Sequence, residues 1–153
     1  MELRAAERTD LSIILPWIAS EHECRLWAGP KIRFPPTPQS AWFDMGASEE
    51  NAYALVDAAA ALIGFGQILP RDGNVLHLAR LLVNPELRGQ GVGRELCLAL
   101  MDIGAAKHTP EHFTLNVYES NKAAVRLYSS LGFEIKERGN PGELAMIKSL
   151  TRP

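Results

Sequence analysis

The segment from Asn74 to Lys107 constrains the fold of this 153-residue chain more than any other. It opens with an apolar run, passes through three closely spaced glycines, and ends with apolar residues at helical spacing. The apolar run, Val75 to Val83, has the length of a buried strand. It stops at Asn84-Pro85, because proline cannot donate a ladder hydrogen bond. The segment therefore predicts a strand, a glycine-rich turn and an α-helix, in that order.

The glycine-rich turn, Arg88 to Gly93, has the features of an anion-binding loop. Gly89, Gly91 and Gly93 lack a β-carbon, so the backbone can come close to a ligand. The helix that begins there has N–H groups without intrahelical acceptors and the positive end of its dipole. Together these properties favour a bound phosphate.

The spacing of the glycines excludes two common nucleotide-binding loops. The dinucleotide pattern G-x-G-x-x-G would need a glycine at Arg94, and a P-loop would need Gly-Lys-Ser/Thr after the turn. The pattern that fits is R-x-x-G-x-G, behind a strand that closes in V-x-P. An ordinary glycine-rich turn could also have this pattern, so a second motif is needed to distinguish such a turn from a phosphate-binding loop.

That second motif lies between Asn116 and Phe133 and reads NVYESNKAAVRLYSSLGF. An asparagine, Asn121, opens a predicted helix that contains A-x-x-L-Y and is followed by Gly-Phe. Asn121, Ala124 and Tyr128 share one face of that helix, because they are three or four residues apart. In this order, the two motifs closely resemble those of the GNAT superfamily of acyl-CoA-dependent N-acyltransferases.

The resemblance covers Val75 to Phe133 by motif and the whole chain by length and element order. It implies an α/β (α+β) fold in which a central mixed, mostly antiparallel sheet of six or seven strands is flanked by about four helices. We expect a single N-acetyltransferase domain over residues 1–153. Its motif-bearing core is expected at about 74–133, with acceptor-side elements at about 9–46 and 134–150.

Local signals place the other elements. Thr9 or Asp10 is predicted to cap a first helix that reaches Ile18, with Pro16 in its middle. The proline-rich stretch from Glu21 to Pro38 is predicted to be irregular, and a short helix starts after Thr37. Further strands are expected at 3–5, 53–56, 62–69, 112–118, 133–137 and 144–150, and a helix at 121–131 that ends at Gly132.

The resemblance also implies acetyl-CoA as co-substrate and no metal. In this family the pantetheine pairs with a strand main chain, much as an added strand would, and the pyrophosphate rests on backbone amides of the loop. The residues that this implies for coenzyme A binding are Leu81, Leu82, Val83, Arg88, Gly89, Gln90, Gly91, Val92, Gly93, Arg94 and Asn121.

The implied reaction is direct attack of a primary amine on the thioester within a ternary complex, through a tetrahedral intermediate. By position in the motif, Tyr128 is the general acid that donates a proton to the leaving thiolate. A main-chain N–H near Val83 would stabilise the oxyanion.

The general base stays open between alternatives. One branch of the family has a carboxylate at the position of Asn116, but asparagine cannot accept a proton at neutral pH. Another branch has a catalytic glutamate eleven residues before the phosphate motif, and that position here is His77. An imidazole with a usual pKa of about 6.5 is a competent base. A half-buried structural histidine, or a water chain that ends on His77, Asn116 or Glu119, is equally compatible.

Trp27, Phe34 and Trp42 are candidates for the wall of an acceptor pocket, since the first helices cover that side in this family. The acceptor is predicted to be an amine of a small molecule or a peptide, and its identity is not readable. A protein of the same fold that binds acyl-CoA as a sensor, without turnover, is the alternative function. The spacing of His22, His108 and His112 does not suit a metal site.

Net charge, hydropathy and cysteine content limit the partners and the cellular location that the sequence allows. A net charge of -2 with scattered Lys and Arg gives no indication of a nucleic-acid partner. The sequence has no apolar run near 18 residues and no pattern of a signal peptide, so we expect a cytoplasmic protein without membrane association. Cys24 and Cys97 are expected to be reduced thiols, although a disulfide is compatible with the sequence. A monomer or a homodimer is expected.

Overall fold

The computed structural model describes residues 1–139 and 141–150. Asn140 and residues 151–153, which the expected domain boundaries include, lie outside this part. The strands are β1 (Glu2–Ala5), β2 (Ala52–Val56), β3 (Leu62–Arg71), β4 (Val75–Val83), β5 (His112–Tyr118), β6 (Glu134–Arg138) and β7 (Glu143–Ser149). The α-helices are α1 (Leu11–Ile14), α2 (Glu21–Ala28), α3 (Pro38–Asp44), α4 (Val92–His108) and α5 (Lys122–Ser130).

The described strands form one mixed sheet in the order β1-β2-β3-β4-β5-β7-β6. Antiparallel pairing joins β1 to β2, β2 to β3, β5 to β7, and β6 to β7. β4 and β5 pair in parallel, and this pairing ends at His77 with Thr114. The prediction of a mixed, mostly antiparallel sheet is confirmed. The described residues form five α-helices where about four were expected.

The chain divides into two compact units, of which the first consists of Met1–Gln67 and Arg80–Leu100. Its apolar cluster centres on Phe65, which is completely buried, together with Leu11 and Ile14 of α1. Close packing depends on Gly66. A β-carbon there would lie 2.8 Å from Leu100 Cδ1 and 2.9 Å from Leu81 Cδ2, so the missing side chain is what lets α4 approach β3.

The second unit consists of Ile68–Ala79 and the chain from Met101 onward. Phe113, Leu115 and Met146 are buried in it. Asn121 caps α5 by accepting a hydrogen bond from the Ala124 N–H. Gly132 follows the helix with φ of 96°, in the left-handed region that glycine adopts without cost. The predicted boundaries of this helix are therefore confirmed.

The first helix differs from the prediction. α1 is a single turn between two 3₁₀ segments, Arg8–Asp10 and Leu15–Trp17, and Pro16 lies in the second. Asp10 occupies the N-cap position of α1, as one of the two predicted candidates, but its side chain accepts no hydrogen bond from the α1 backbone, and the helical course already begins after Glu7. Asp10 acts from inside the turn, where its carboxylate accepts the Glu7 N–H at 2.8 Å.

The stretch predicted to be irregular from Glu21 to Pro38 contains a helix, α2. The Ser20 hydroxyl accepts the Glu23 N–H at 3.1 Å, and the Glu23 carboxylate accepts the Ala19 N–H at 2.8 Å. The S-x-x-E sequence is a helix-start signal that was visible in the sequence, although here Glu23 accepts from Ala19, the residue before the cap. The helix was not predicted from this signal, because the prolines further along the stretch favoured an irregular structure. The short helix after Thr37 is confirmed, with Thr37 as its cap.

A charge pair fixes the start of the chain and makes stability depend on pH. The Arg4 guanidinium donates to both Asp10 carboxylate oxygens, at 2.8 and 2.9 Å. Burial by itself raises the pKa of the Asp10 carboxyl. The hydrogen bonds from Arg4 and from the Glu7 N–H outweigh burial and hold this pKa below its usual range.

Asp10→Asn should therefore reduce the free energy of unfolding at pH 7, by about 1–2 kcal/mol once the exposure of Arg4 is taken into account. Because the folded pKa is depressed, the contribution is present above the unfolded value of about 3.9 and is lost as the pH falls through the folded value. Urea unfolding between pH 2 and 7 should show a shallower acid limb in the variant. Asp102→Asn, at an exposed position on α4, is the control. Equal acid limbs for parent and Asp10→Asn would contradict this account.

Candidate functional site

The loop between β4 and α4 has the backbone geometry of an anion cradle. Gly89 and Gly91 have φ of 78° and 83°, values that L side chains rarely adopt. A β-carbon at either position would meet no described atom within 4 Å, so backbone conformation rather than crowding requires glycine there. The Gly91 carbonyl accepts the Glu95 N–H at 3.1 Å, which begins the helical hydrogen bonding of α4.

This loop has the chemical groups that a diphosphate requires. Arg88, Gly89, Gln90 and Gly91 are all exposed. Amides at the start of the 17-residue helix α4 lie at the positive end of its dipole. Val92 is buried at the same point and anchors the first turn in the core. Exposed glycine backbone, first-turn amides and arginine side chains together fit the pyrophosphate of coenzyme A.

The strand that leads into the loop is fixed where it ends. The Asn84 N–H donates to the Ile63 carbonyl at 3.0 Å, which ties the end of β4 to β3. The Asn84 side chain accepts the Glu86 N–H at 3.0 Å and starts a 3₁₀ turn, Pro85–Leu87. Of the three β4 residues predicted to pair with pantetheine, Leu82 is buried, whereas Leu81 and Val83 are half-buried.

A polar cluster around Arg80 of β4 was not predicted. Arg80 has φ of 52°, and its carbonyl accepts the Trp27 indole N–H at 2.8 Å. Its guanidinium donates to Gln67 Oε1 at 2.7 Å. Gln67 is completely buried, and its amide nitrogen lies 3.3 Å from the Met45 carbonyl and 3.2 Å from Asn51 Oδ1. No local sequence signal joins these residues, since the pattern around each one is that of an ordinary strand, helix or turn.

The three aromatic residues predicted to wall an acceptor pocket have different environments. Trp27 and Trp42 both pack, half-buried, against the apolar cluster of the first unit. Phe34 is 44% exposed and borders a groove of about 450 Å³, between α1 and the proline-rich segment at 35–38. Of the three, Phe34 presents the most accessible ring.

In the second unit, packing fixes the ring of Tyr128. It lies half-buried on α5 and meets the Phe133 ring edge-on, with 6.2 Å between centroids. The Tyr128 carbonyl accepts the Phe133 N–H at 3.0 Å, which closes the end of the helix over the same contact. These contacts use the ring and the main chain.

The candidate proton acceptors differ in their partners. His77 Nδ1 lies 2.8 Å from Thr114 Oγ1, directly across the parallel pair of β4 and β5. Asn116 is exposed on β5, opposite Ala145 of β7. The Glu119 carboxylate accepts a hydrogen bond from Arg138 at 2.9 Å. Asn121, predicted to contact coenzyme A, also has the capping role described above.

The two cysteines are free, as predicted, and both are buried. Burial raises the pKa of the Cys97 thiol to about 12 and also raises the pKa of Cys24, so neither is an activated nucleophile. Among residues 1–139 and 141–150, no three His, Cys, Asp or Glu side chains gather in a way that could hold a metal ion. The helices in these ranges are too short or too polar to cross a membrane.

Comparison with known proteins agrees with this geometry. Residues 15–133 match the model of the Acetyltransferase (GNAT) family. A mycothiol acetyltransferase from Thermobispora bispora is 37% identical over 101 residues, which are 62% of this chain and 32% of that protein. The peptidyl-lysine N-acetyltransferase YiaC from Escherichia coli is 29% identical over 140 residues, 87% of this chain and 83% of YiaC.

The chain spans only part of several other curated relatives, with matched segments that cover between 27% and 52% of their length. Among solved structures, the PaiA N-acetyltransferase from Thermoplasma acidophilum, in complex with coenzyme A, has a TM-score of 0.76 at 21% identity, covering 97% of this chain and 98% of PaiA. The family match extends over most of the chain and includes both sequence motifs. The chain therefore belongs to the GNAT family of acetyltransferases.

Proposed function

We propose that this protein is an acetyl-CoA-dependent N-acetyltransferase that moves an acetyl group to a primary amine. The observation that carries the proposal is the loop at Arg88–Arg94, whose positive-φ glycines and helix start form an anion cradle in a GNAT-family chain. The coenzyme A complex of PaiA, which has the same fold, supports the choice of co-substrate.

In this proposal β4 and the loop bind acetyl-CoA. Backbone amides from Arg88 to Arg94 hold the pyrophosphate, and the Arg88 and Arg94 side chains add positive charge. The main chain of Leu81 to Val83 pairs with pantetheine. The pairing of β4 with β5 ends at His77 and Thr114, which supports a strand edge available to a ligand further along β4.

The proposed transfer forms a C–N bond and breaks the C–S bond of the thioester. His77 Nε2 accepts the proton that the attacking amine loses, while Nδ1–H donates to Thr114 Oγ1 and fixes the tautomer. Tyr128 donates its phenolic proton to the departing sulfur. A main-chain N–H of β4 stabilises the negative charge on the acetyl oxygen.

The acceptor is proposed to be an amine of a small molecule or a peptide. The names of the relatives support this class, since YiaC is a peptidyl-lysine acetyltransferase and another relative, from Bacillus subtilis, is a spermine/spermidine acetyltransferase. The alternative is a coenzyme A-binding sensor without turnover. One observation favours it: Asn116 stands where one branch of the family has a carboxylate, and an amide accepts no proton at neutral pH.

Release of free thiol from acetyl-CoA across a panel of amines tests the proposal. Polyamines, lysine-containing peptides, peptide N-termini and amino sugars should be included. Amine-dependent thiol release, with acetylated product identified by mass, is the expected result. Tight binding of acetyl-CoA without release for any amine would favour the sensor instead. No measurable binding of acetyl-CoA would contradict both functions.

Gly91→Glu should weaken coenzyme A binding by at least tenfold, because it places a bulky negative charge beside the pyrophosphate. The control is Gly91→Ala, which places a β-carbon at the same positive φ without adding a charge. This conformational cost is about 1 kcal/mol and is common to both variants. Calorimetry should show a much larger loss for the glutamate than for the alanine. Equal affinities for parent and Gly91→Glu would contradict the assignment of the phosphate site.

Tyr128→Phe should lower kcat by about 100-fold, because it removes the proton donor and keeps the ring against Phe133. Coenzyme A affinity and the melting temperature should stay near those of the parent. Phe133→Leu, which removes the edge-on ring contact and leaves the phenol in place, is the comparison; it should lower stability more than turnover. Parent-like turnover by Tyr128→Phe would make this tyrosine a packing residue only.

If His77 is the base, the rate at saturating acetyl-CoA should rise with pH through the range in which imidazoles titrate. His77→Gln should flatten this limb and lower kcat. Thr114→Val removes the hydroxyl beside Nδ1 and should shift the limb, whereas Thr114→Ser should retain it. A His77→Gln enzyme with the parent's pH profile would assign the proton to a water chain or to another residue.

A further inference from the structure

Arg80 has an unfavourable backbone conformation in the middle of a strand. Its φ of 52° lies in the left-handed region, which is sterically unfavourable for a non-glycine residue. Such a conformation persists only where the surrounding structure over-determines it, and it is often found at functional sites. The groups that hold Arg80 therefore indicate what the conformation is for.

The main chain of Arg80 is held by Trp27. The indole N–H of Trp27 donates to the Arg80 carbonyl at 2.8 Å, across 53 residues of sequence. Trp27 lies on α2, and its ring meets the fully buried ring of Phe65 edge-on at 6.3 Å. Packing thus fixes the position of the donor before any ligand binds.

The side chain of Arg80 is held by Gln67. The amide nitrogen of Gln67 donates to the Met45 carbonyl and to Asn51 Oδ1, so its oxygen is the atom turned toward the guanidinium. The resulting hydrogen bond, 2.7 Å long, is assisted by the charge of Arg80. Residues from α2, β3 and the connection after α3 therefore clamp Arg80 at both its main chain and its side chain.

The clamp sets the direction of the next main-chain donor. Arg80 and Leu81 share one trans peptide, whose C=O and N–H point in opposite directions. With its carbonyl on the Trp27 indole, that peptide presents the Leu81 N–H on its opposite edge. A hydrogen bond to the carbonyl also polarises the peptide and strengthens the N–H as a donor.

From this geometry we infer that Trp27 is a positioning residue for acetyl transfer. It fixes the Arg80–Leu81 peptide so that the Leu81 N–H is the donor to the acetyl oxygen, and it does not serve mainly as a wall for the acceptor. The inference rests on the proposed function, which requires such a donor in this part of β4. It also makes α2 a support of the catalytic main chain.

The test compares Trp27→Phe with Trp17→Phe. Both substitutions replace a half-buried tryptophan at the same apolar cluster, but only the first removes the N–H that binds Arg80. The first readout is the infrared C=O stretch of bound [1-¹³C]acetyl-CoA, which needs no acceptor. In the parent and in Trp17→Phe the band should move to lower frequency on binding, because a donor polarises the carbonyl. In Trp27→Phe most of that displacement should be lost.

Turnover provides the second readout. With an amine from the panel, Trp27→Phe should lower kcat about tenfold and change the KM for acetyl-CoA less than about twofold. This loss is smaller than the 10²–10³-fold for deleting an oxyanion donor outright, because the Leu81 N–H is still present. A tryptophan with only a structural role would lower the melting temperature and leave the bound carbonyl frequency unchanged.

The outcomes separate this inference from the proposed function. Absence of acetyl-CoA binding by the parent overturns the proposed function and, with it, the inference. Binding with an undisplaced carbonyl band in the parent, or an equal displacement in Trp27→Phe, overturns the inference alone. Should Trp27→Phe fail to fold, Gln67→Met removes the side-chain half of the clamp. It should reduce the same displacement, and an unaltered band in that variant also overturns the inference.

Discussion

The structure depends on how strand β4 satisfies its backbone polar groups at Arg80. A buried strand normally places every N–H and C=O in a ladder, and an unpaired buried group costs about as much as a lost hydrogen bond. The left-handed conformation of Arg80 breaks the regular course of β4, and the Trp27 indole takes up the displaced carbonyl. The strand can thereby depart from its regular course at Arg80 without leaving this carbonyl unsatisfied.

Backbone polar groups must also be satisfied where β4 ends, but other groups do this there. There the Asn84 N–H binds the Ile63 carbonyl, and the chain then turns through Gly89 and Gly91 into α4. In this loop Arg88 to Gly91 are exposed, so water can reach backbone amides that have no acceptor within the protein. Side chains from other elements hold the strand at Arg80, whereas glycine and helix geometry suffice for the loop.

This difference explains what the sequence could predict. β4, β5 and α5 were predicted at or within a residue of their bounds, and α4 was predicted to follow the glycine-rich turn, since period, capping and glycine placement are local properties. α2 was missed because the prolines beyond residue 28 outweighed the Ser20–Glu23 signal. The link from Trp27 to Arg80 was beyond prediction, because nothing in either local pattern records a partner 53 residues away. The loop at 88–94 could thus be proposed from sequence, but the clamp on Arg80 could not.

The proposed role of His77 as proton acceptor depends on its hydrogen bond to Thr114. A neutral imidazole has one N–H and one acceptor nitrogen, and the partner of one nitrogen decides the state of the other. If His77 donates from Nδ1 to Thr114 Oγ1, then Nε2 keeps its lone pair and can take a proton from an amine. If the Thr114 hydroxyl donates instead, the neutral imidazole carries its proton on Nε2 and cannot accept one there. The direction of this bond, which is 2.8 Å long and lies where the pairing of β4 with β5 ends, therefore bears directly on the proposed role of His77.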